Sequence, residues 1–188
     1  MNEPTIVDSV LMNNVLALYE NISKTLIENK LTVSTMESCT SGLIATLLTN
    51  VEGSSNILSS SAVTYSNYAK ELQGVSKESI EKYSVYSKNV ASEMARNSKL
   101  NTKSYYGIGV TGLLDRLDPA NPDGTAKNIY YAINYESFEI TRDFIIPDHI
   151  EGRFNRKLYT AYQVGLTFFD LLYAVYIKKD NLTNNYMS

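Results

Sequence analysis

Two hydrophobic periods alternate along this chain, and that alternation constrains its architecture more than any other feature. Residues 5–29 carry Ile6, Val10, Leu11, Val15, Leu18, Ile22 and Leu26 at steps of three and four, the stripe of an amphipathic helix. Leu31–Thr35 switch to a β-prone run, and Leu43, Ile44, Leu47 and Leu48 return to helical spacing within 41–49. A loop over 51–56 and a strand over 62–65 follow, then short helices near 67–73 and 76–83. Ser87–Leu100 reads as a longer helix with Val90, Met94 and Leu100 inward, and Tyr105–Thr111 as a further strand. Aspartate, proline and glycine crowd 113–127, the composition of a loop. Asn128–Tyr135 and Phe138–Ile146 form a hairpin across Glu136-Ser137. His149–Ile177 is one long helix, with Leu158, Tyr162, Leu166, Phe169 and Tyr173 on its stripe. Strands alternating with helices, plus one hairpin, predict an α/β fold: a mixed sheet with helices on both faces.

At 188 residues the chain has the length of one domain and can bury a core without staples. Residues 1–178 are expected to form it and 179–188 a polar, frayed tail. Hydrophobic residues are 44% and charged residues 20%, which excludes a disordered or collagenous chain. No apolar run approaches a membrane span, and the start Met1-Asn2-Glu3-Pro4 lacks the pattern of a secretory signal. One cysteine fits a reducing compartment, so a cytoplasmic protein is expected. A net charge of −3 argues against a bulk nucleic-acid binder.

The lone histidine, His149, narrows the chemistry. A Ser-His or Cys-His system could use only that residue, and a zinc site would need carboxylates for nearly every other ligand. Chemistry here therefore runs on Ser, Tyr, Lys, Thr or carboxylates. Ser38 sits where a strand hands over to a helix, and free N–H groups there favour a nucleophilic oxygen or a developing oxyanion. Ser38 or Thr40 could equally be the helix N-cap. Cys39 is either a thiol of lowered pKa or a small packing residue. Tyr65 and Lys70 follow the second strand, and a serine without histidine needs such a base, desolvated. Thr111 ends the next strand; ligands bind outside the carboxyl ends of parallel strands, so Ser38, Tyr65 and Thr111 share one rim. Arg153 and Arg156, near His149, either hold a phosphate or carboxylate or form a solvated helix face. Asp115, Asp118 and Asp123 are cation ligands or, as their loop composition favours, turn residues; no metal is expected.

Several segments then occur in a telling order: Thr35-Met36-Glu37-Ser38-Cys39-Thr40-Ser41-Gly42, Gly53-Ser54-Ser55, Val63-Thr64-Tyr65-Ser66-Asn67-Tyr68-Ala69-Lys70, Gly74-Val75-Ser76, Val85-Tyr86-Ser87 and Ala91-Ser92-Glu93-Met94-Ala95. They resemble the C-terminal domain of the CinA (competence-damage-inducible protein) family, nearly without gaps from 31 to 112 and more loosely beyond. The resemblance implies a three-layer α/β/α fold. From the stand-alone members it implies hydrolysis of nicotinamide mononucleotide to nicotinic acid mononucleotide and ammonia, a pyridine nucleotide salvage step, with no cofactor. It implies the nucleophile at Ser38, and catalytic partners at Tyr65, Lys70 and Thr111. With it we expect Thr40, Ser41, Gly42, Gly112 and Arg153 to bind substrate, and N–H groups around 40–42 to hold the oxyanion. The expected partner is a small nucleotide, with no nucleic acid and no membrane, in a homodimer or higher homo-oligomer.

The chain departs from the family pattern around the site. Thr40-Ser41-Gly42 stands where Thr-Gly-Gly is usual, and Thr111-Gly112-Leu113-Leu114-Asp115-Arg116 where Thr-Gly-Ile-Ala-Gly-Pro is usual. Pro147-Asp148-His149 replaces Gly-Asp-Arg, while Pro122-Asp123-Gly124-Thr125 and Arg153 are kept. Kept catalytic positions with rebuilt walls fit two functions. One is an amidohydrolase with an altered substrate; the other is a silent member that binds a nucleotide or a protein partner.

Overall fold

The β-prone runs pair into one five-stranded sheet. The computed structural model describes residues 6–119 and 121–177; the expected tail over 179–188 lies outside them. The elements run α1 (Ser9–Glu28), β1 (Val33–Glu37), α2 (Leu43–Leu48), β2 (Leu58–Val63), α3 (Asn67–Leu72), α4 (Lys77–Tyr83), α5 (Lys88–Thr102), β3 (Tyr106–Gly112), β4 (Asn128–Tyr135), β5 (Phe138–Ile145) and α6 (Arg153–Leu172), then a π-helical turn over Tyr173–Ile177. Their spatial order is β2-β1-β3-β4-β5. β1 runs parallel to β2 and β3, while β4 and β5 are antiparallel, with Tyr135 opposite Phe138 at the hairpin. α1, α2 and α6 pack together over one face, and α5, with α4 against it, covers the other. This is the expected three-layer α/β/α domain with a mixed sheet.

The larger core lies between the sheet and the α1–α6 pair, where Val15, Tyr19, Ile22, Leu26, Ile108, Leu158, Val164 and Phe168 meet. Tyr19 reaches across it and donates to the carbonyl of Ala161 at 2.9 Å. A smaller cluster of Met36, Val75, Val85, Val90 and Met94 lies toward α4 and α5. A Cβ on Gly109 would stand 2.3 Å from the Ala91 carbonyl oxygen, so only glycine lets α5 approach β3 this closely. Among the described residues no helix is long and apolar enough to cross a membrane.

The differences from expectation have local causes. β2 is Leu58–Val63 rather than 62–65; it is an edge strand with Ser59, Ser60 and Ser61 exposed, so its start carries no apolar signal. The loop over 51–56 ends in a 3₁₀ turn at Ser54–Asn56. Leu100 is 62% exposed: it stands about 200° around the helix from buried Ser98. α1 starts at Ser9, which leaves Ile6 and Val10 exposed and makes Tyr19, not Leu18, the buried member of its stripe. α6 starts at Arg153, so His149 lies in the exposed turn before it. The buried stripe of α6 is Leu158, Ala161, Gly165, Phe168 and Leu172, one residue round from the expected set.

Candidate active site

Because β1, β2 and β3 are parallel, their C-terminal turns open on the same side of the sheet. Ser38 follows β1 directly, and its N–H donates to the Val110 carbonyl at 2.9 Å, which extends the β1–β3 ladder into the turn. Lys70 comes from α3, a short helix whose Ser66 N-cap accepts from the Ala69 N–H. Its Nζ lies 3.1 Å from Ser38 Oγ and donates to the Thr64 carbonyl at 2.7 Å. Lys70 is 1% exposed. Burial lowers its pKa from 10.5 to about 8, against a smaller upward pull from the Asp118 carboxylate. The expected serine and lysine therefore meet, with the lysine desolvated as a base requires.

Glu37, the last residue of β1, explains why Ser38 is free to do this. Its Oε2 accepts from the N–H groups of Gly42 (3.0 Å) and Ile44 (3.2 Å), and its Oε1 from Ala45 N–H (3.0 Å) and the Thr35 hydroxyl (3.1 Å). The carboxylate thus caps α2, which corrects the reading of Ser38 or Thr40 as N-cap. The N–H of Ser41 goes back to the Ser38 carbonyl at 3.2 Å. With the Gly42 amide also taken, the stretch around 40–42 does not form the expected oxyanion cradle. Thr40, Ser41 and Gly42 do not line the cavity either; Thr40 is buried, with its hydroxyl unpaired among the described residues. The turn gets from Ser38 to α2 through two left-handed residues, Ser41 (φ 56°) and Gly42 (φ 87°). Burial and the nearby Glu37 charge push the Cys39 thiol up to about 12, so it is a packing thiol and not an activated one.

Over Ser38 and Lys70 opens a cavity of about 630 Å³. Gly112, Leu113, Leu114, Asp115 and Arg116 form one wall, and Tyr65, Tyr68 and Arg153 stand on its rim. Tyr65 is 59% exposed and its hydroxyl accepts from Arg153 Nη2 at 2.8 Å. The structure therefore brings Tyr65 to the mouth with Arg153, not to the Ser38–Lys70 pair. Thr111 is buried behind the wall, and its hydroxyl donates to the Val85 carbonyl at 3.0 Å, so it supports the wall instead of facing the cavity. Arg156 is tied to Asp115 at 2.8 Å and to the Ile150 carbonyl, which removes it as a partner for Arg153 in phosphate binding. His149 does not line the cavity.

A polar chain closes the remaining side. Asn67 donates to Asn121, and Asn121 and the Tyr86 hydroxyl both donate to Asp118. Burial, reinforced by that bond to Asp118, raises the Tyr86 pKa. Among the described residues no group of three or more His, Cys, Asp or Glu side chains is arranged to hold a metal. Sequence reasoning missed Glu37, the Thr64 carbonyl and this chain. Glu37 had a signal, its place one residue before Ser38; Asp118 was weighed only as a cation ligand or turn residue, and Asn121 had no signal in a turn-rich loop.

Comparison with known proteins agrees with this architecture. Residues 15–158 match the family model "CinA C-terminal domain". The "CinA-like protein" of Flavobacterium psychrophilum is 47% identical over 92 residues, 48% of this chain and 22% of that protein. The "CinA-like protein" of Fervidobacterium nodosum is 37% identical over 125 residues, 66% of this chain and 29% of that protein. The chain thus spans roughly a quarter of the length of the curated relatives it matches. Among solved structures, the competence/damage inducible protein CihA from Agrobacterium tumefaciens superposes with a TM-score of 0.76 at 25% identity, covering 89% of this chain and 99% of that one. The competence or damage-inducible protein from Enterobacter asburiae gives 0.74 at 21% identity, covering 85% and 97%. Fold, motif order and family model coincide over most of the described residues: the chain belongs to the CinA C-terminal domain family.

Proposed function

We propose that this chain is an amidohydrolase that releases ammonia from nicotinamide mononucleotide or a related small amide. The observation that carries the reading is the 3.1 Å contact between Ser38 Oγ and the buried Lys70 Nζ. With a pKa of about 8, roughly a tenth of Lys70 is neutral at pH 7. A neutral amine that donates to Thr64 still has its lone pair for the Ser38 proton. Ser38 Oγ attacks the amide carbon, and its proton passes to Nζ. The turn after Ser38 has one amide beside the cavity for the oxyanion, the N–H of Cys39, whose residue lines the cavity next to Ser38. Collapse breaks the C–N bond, and Nζ returns the proton to the departing ammonia. Water, deprotonated by Nζ, then cleaves the acyl-serine ester, and Ser38 recovers its proton. Arg153 and Tyr65 on the rim suit a phosphate or carboxylate outside the reacting amide.

Supporting the reading are membership of the family and a cavity within the range of small-molecule sites, about 300–1,000 Å³. The substrate is a small nucleotide, without nucleic acid, membrane or metal, and the protein a cytoplasmic homo-oligomer. Purified protein is expected to convert nicotinamide mononucleotide to its acid with equal ammonia, and Ser38→Ala to lose this while staying folded. The second reading, a silent binder, rests on the bulky Leu113–Arg116 wall. Nucleotide binding by a folded protein with no ammonia released would select it.

A further inference from the structure

A buried carboxylate ordinarily needs a cation beside it. Glu37 is fully buried, and its four hydrogen bonds come from neutral groups: three backbone amides at the start of α2 and the Thr35 hydroxyl. An acceptor-only carboxylate satisfies all four donors at once; no neutral side chain of this size does. The bonds tie the end of β1 to the start of α2, and the five residues between them are the turn that carries Ser38. That turn holds Ser41 at φ 56°, a left-handed conformation that a non-glycine residue keeps only when its surroundings restrain it, next to Gly42 at φ 87°. Glu37 supplies the restraint through the Gly42 amide itself.

We propose that Glu37 is a positioning residue, which clamps the 38–42 turn so that Ser38 Oγ has one placement against Lys70 Nζ. The inference rests on the amidohydrolase reading for its turnover arm alone. Glu37→Gln keeps the side-chain size but turns an NH2 group toward amide donors. Two rates are compared in the whole chain, wild type and variant. The first is ammonia release from nicotinamide mononucleotide. The second is phosphonylation of Ser38 by a fluorophosphonate, followed by mass spectrometry, which needs no assumption about substrate.

In Glu37→Gln both kcat and the phosphonylation rate are expected to fall roughly 10- to 100-fold, the cost of a misplaced nucleophile. KM and the position of the pH limb should not change. Lower thermal stability with both rates within about twofold of wild type per folded molecule overturns the inference, because that is a merely structural role. If wild type releases no ammonia but is phosphonylated, and the variant is phosphonylated slowly, the substrate reading fails and this inference stands. Wild type that is neither phosphonylated nor releases ammonia overturns both, and where only ammonia is released the kcat comparison alone decides. Should Glu37→Gln not fold, Thr35→Val removes one of the four bonds, and unchanged rates there overturn the inference.

Discussion

Lys70 Nζ and Ser38 Oγ lie 3.1 Å apart although 32 positions separate them in the chain. The lysine's other bond goes to a backbone carbonyl at 2.7 Å, so both contacts are to neutral oxygens. A buried ammonium held this way loses hydration without gaining a charge-assisted bond to a carboxylate, and this is why its proton is loosely held.

On the proposed mechanism, that gives the activity a pH signature. kcat/KM should rise with pH along a limb centred near the Lys70 value of about 8. Lys70→Arg keeps the charge but cannot accept a proton near neutrality, so it should be almost as inactive as Lys70→Ala. His149→Ala should leave the limb in place, because His149 sits in an exposed turn off the cavity. A limb abolished by His149→Ala, with Lys70→Arg active, would falsify the Ser-Lys assignment.

The same group makes folding pH-dependent. The folded value, about 8, lies below the ordinary 10.5, so between these pH values the unfolded chain holds a proton that the folded chain has released. Stability from this group therefore rises with pH across that window and is missing below it. Relative to Lys70→Met, which cannot titrate, the wild type should gain on the order of 3 kcal/mol between pH 7 and pH 10.5. Denaturant titrations of both proteins at several pH values measure the difference, and a flat one means Lys70 is solvated.

Ser41 carries a side chain at φ 56°, a conformation that costs a non-glycine residue about 1–2 kcal/mol. Its hydroxyl contributes only a 3.4 Å contact to the Ser38 carbonyl. Ser41→Gly relieves the strain at the expense of a more flexible unfolded chain, so a net gain of about 1 kcal/mol is expected. For a chain of this length that is a Tm higher by roughly 2–4 °C. A lower Tm in a thermal melt would mean the weak hydroxyl contact outweighs the strain.

Tyr65 is on the rim and bonds Arg153, not the Ser38–Lys70 pair. Tyr65→Phe frees the Arg153 guanidinium and removes one polar group from the mouth. KM should rise several-fold while kcat stays within about threefold, the pattern of lost uniform binding. A collapse of kcat in steady-state kinetics would show instead that the Tyr65 hydroxyl takes part in proton transfer.

The order of elements was legible from the residues because local physics sets it. Hydrophobic period separates helix from strand, and α2, α3, α4, β3, β4 and β5 fall within two or three residues of where their patterns end. β2 was mislocated because an edge strand needs little apolar burial, and its serines look like a loop. The α6 stripe was rotated by one residue because Tyr162 and Phe169 pack partly buried on the flank of the buried row.

At the site, the residues placed Ser38 at a strand-to-helix turn and offered Tyr65 or Lys70 as a base in a chain with one histidine, and the family resemblance pointed to Ser38 with Lys70 among its partners. The shape of the turn was settled by tertiary structure. Whether the α2 amides face a substrate or a side chain depends on a carboxylate folding back from β1, and Glu37 takes them. Likewise the Thr111 hydroxyl goes to Val85, Arg156 to Asp115 and Tyr65 to Arg153. Each of these partners lies 26 or more positions away in the chain. Spacing shows which side chains reach the same end of the sheet, but the choice among several nearby donors and acceptors is made by burial and distance in the folded chain.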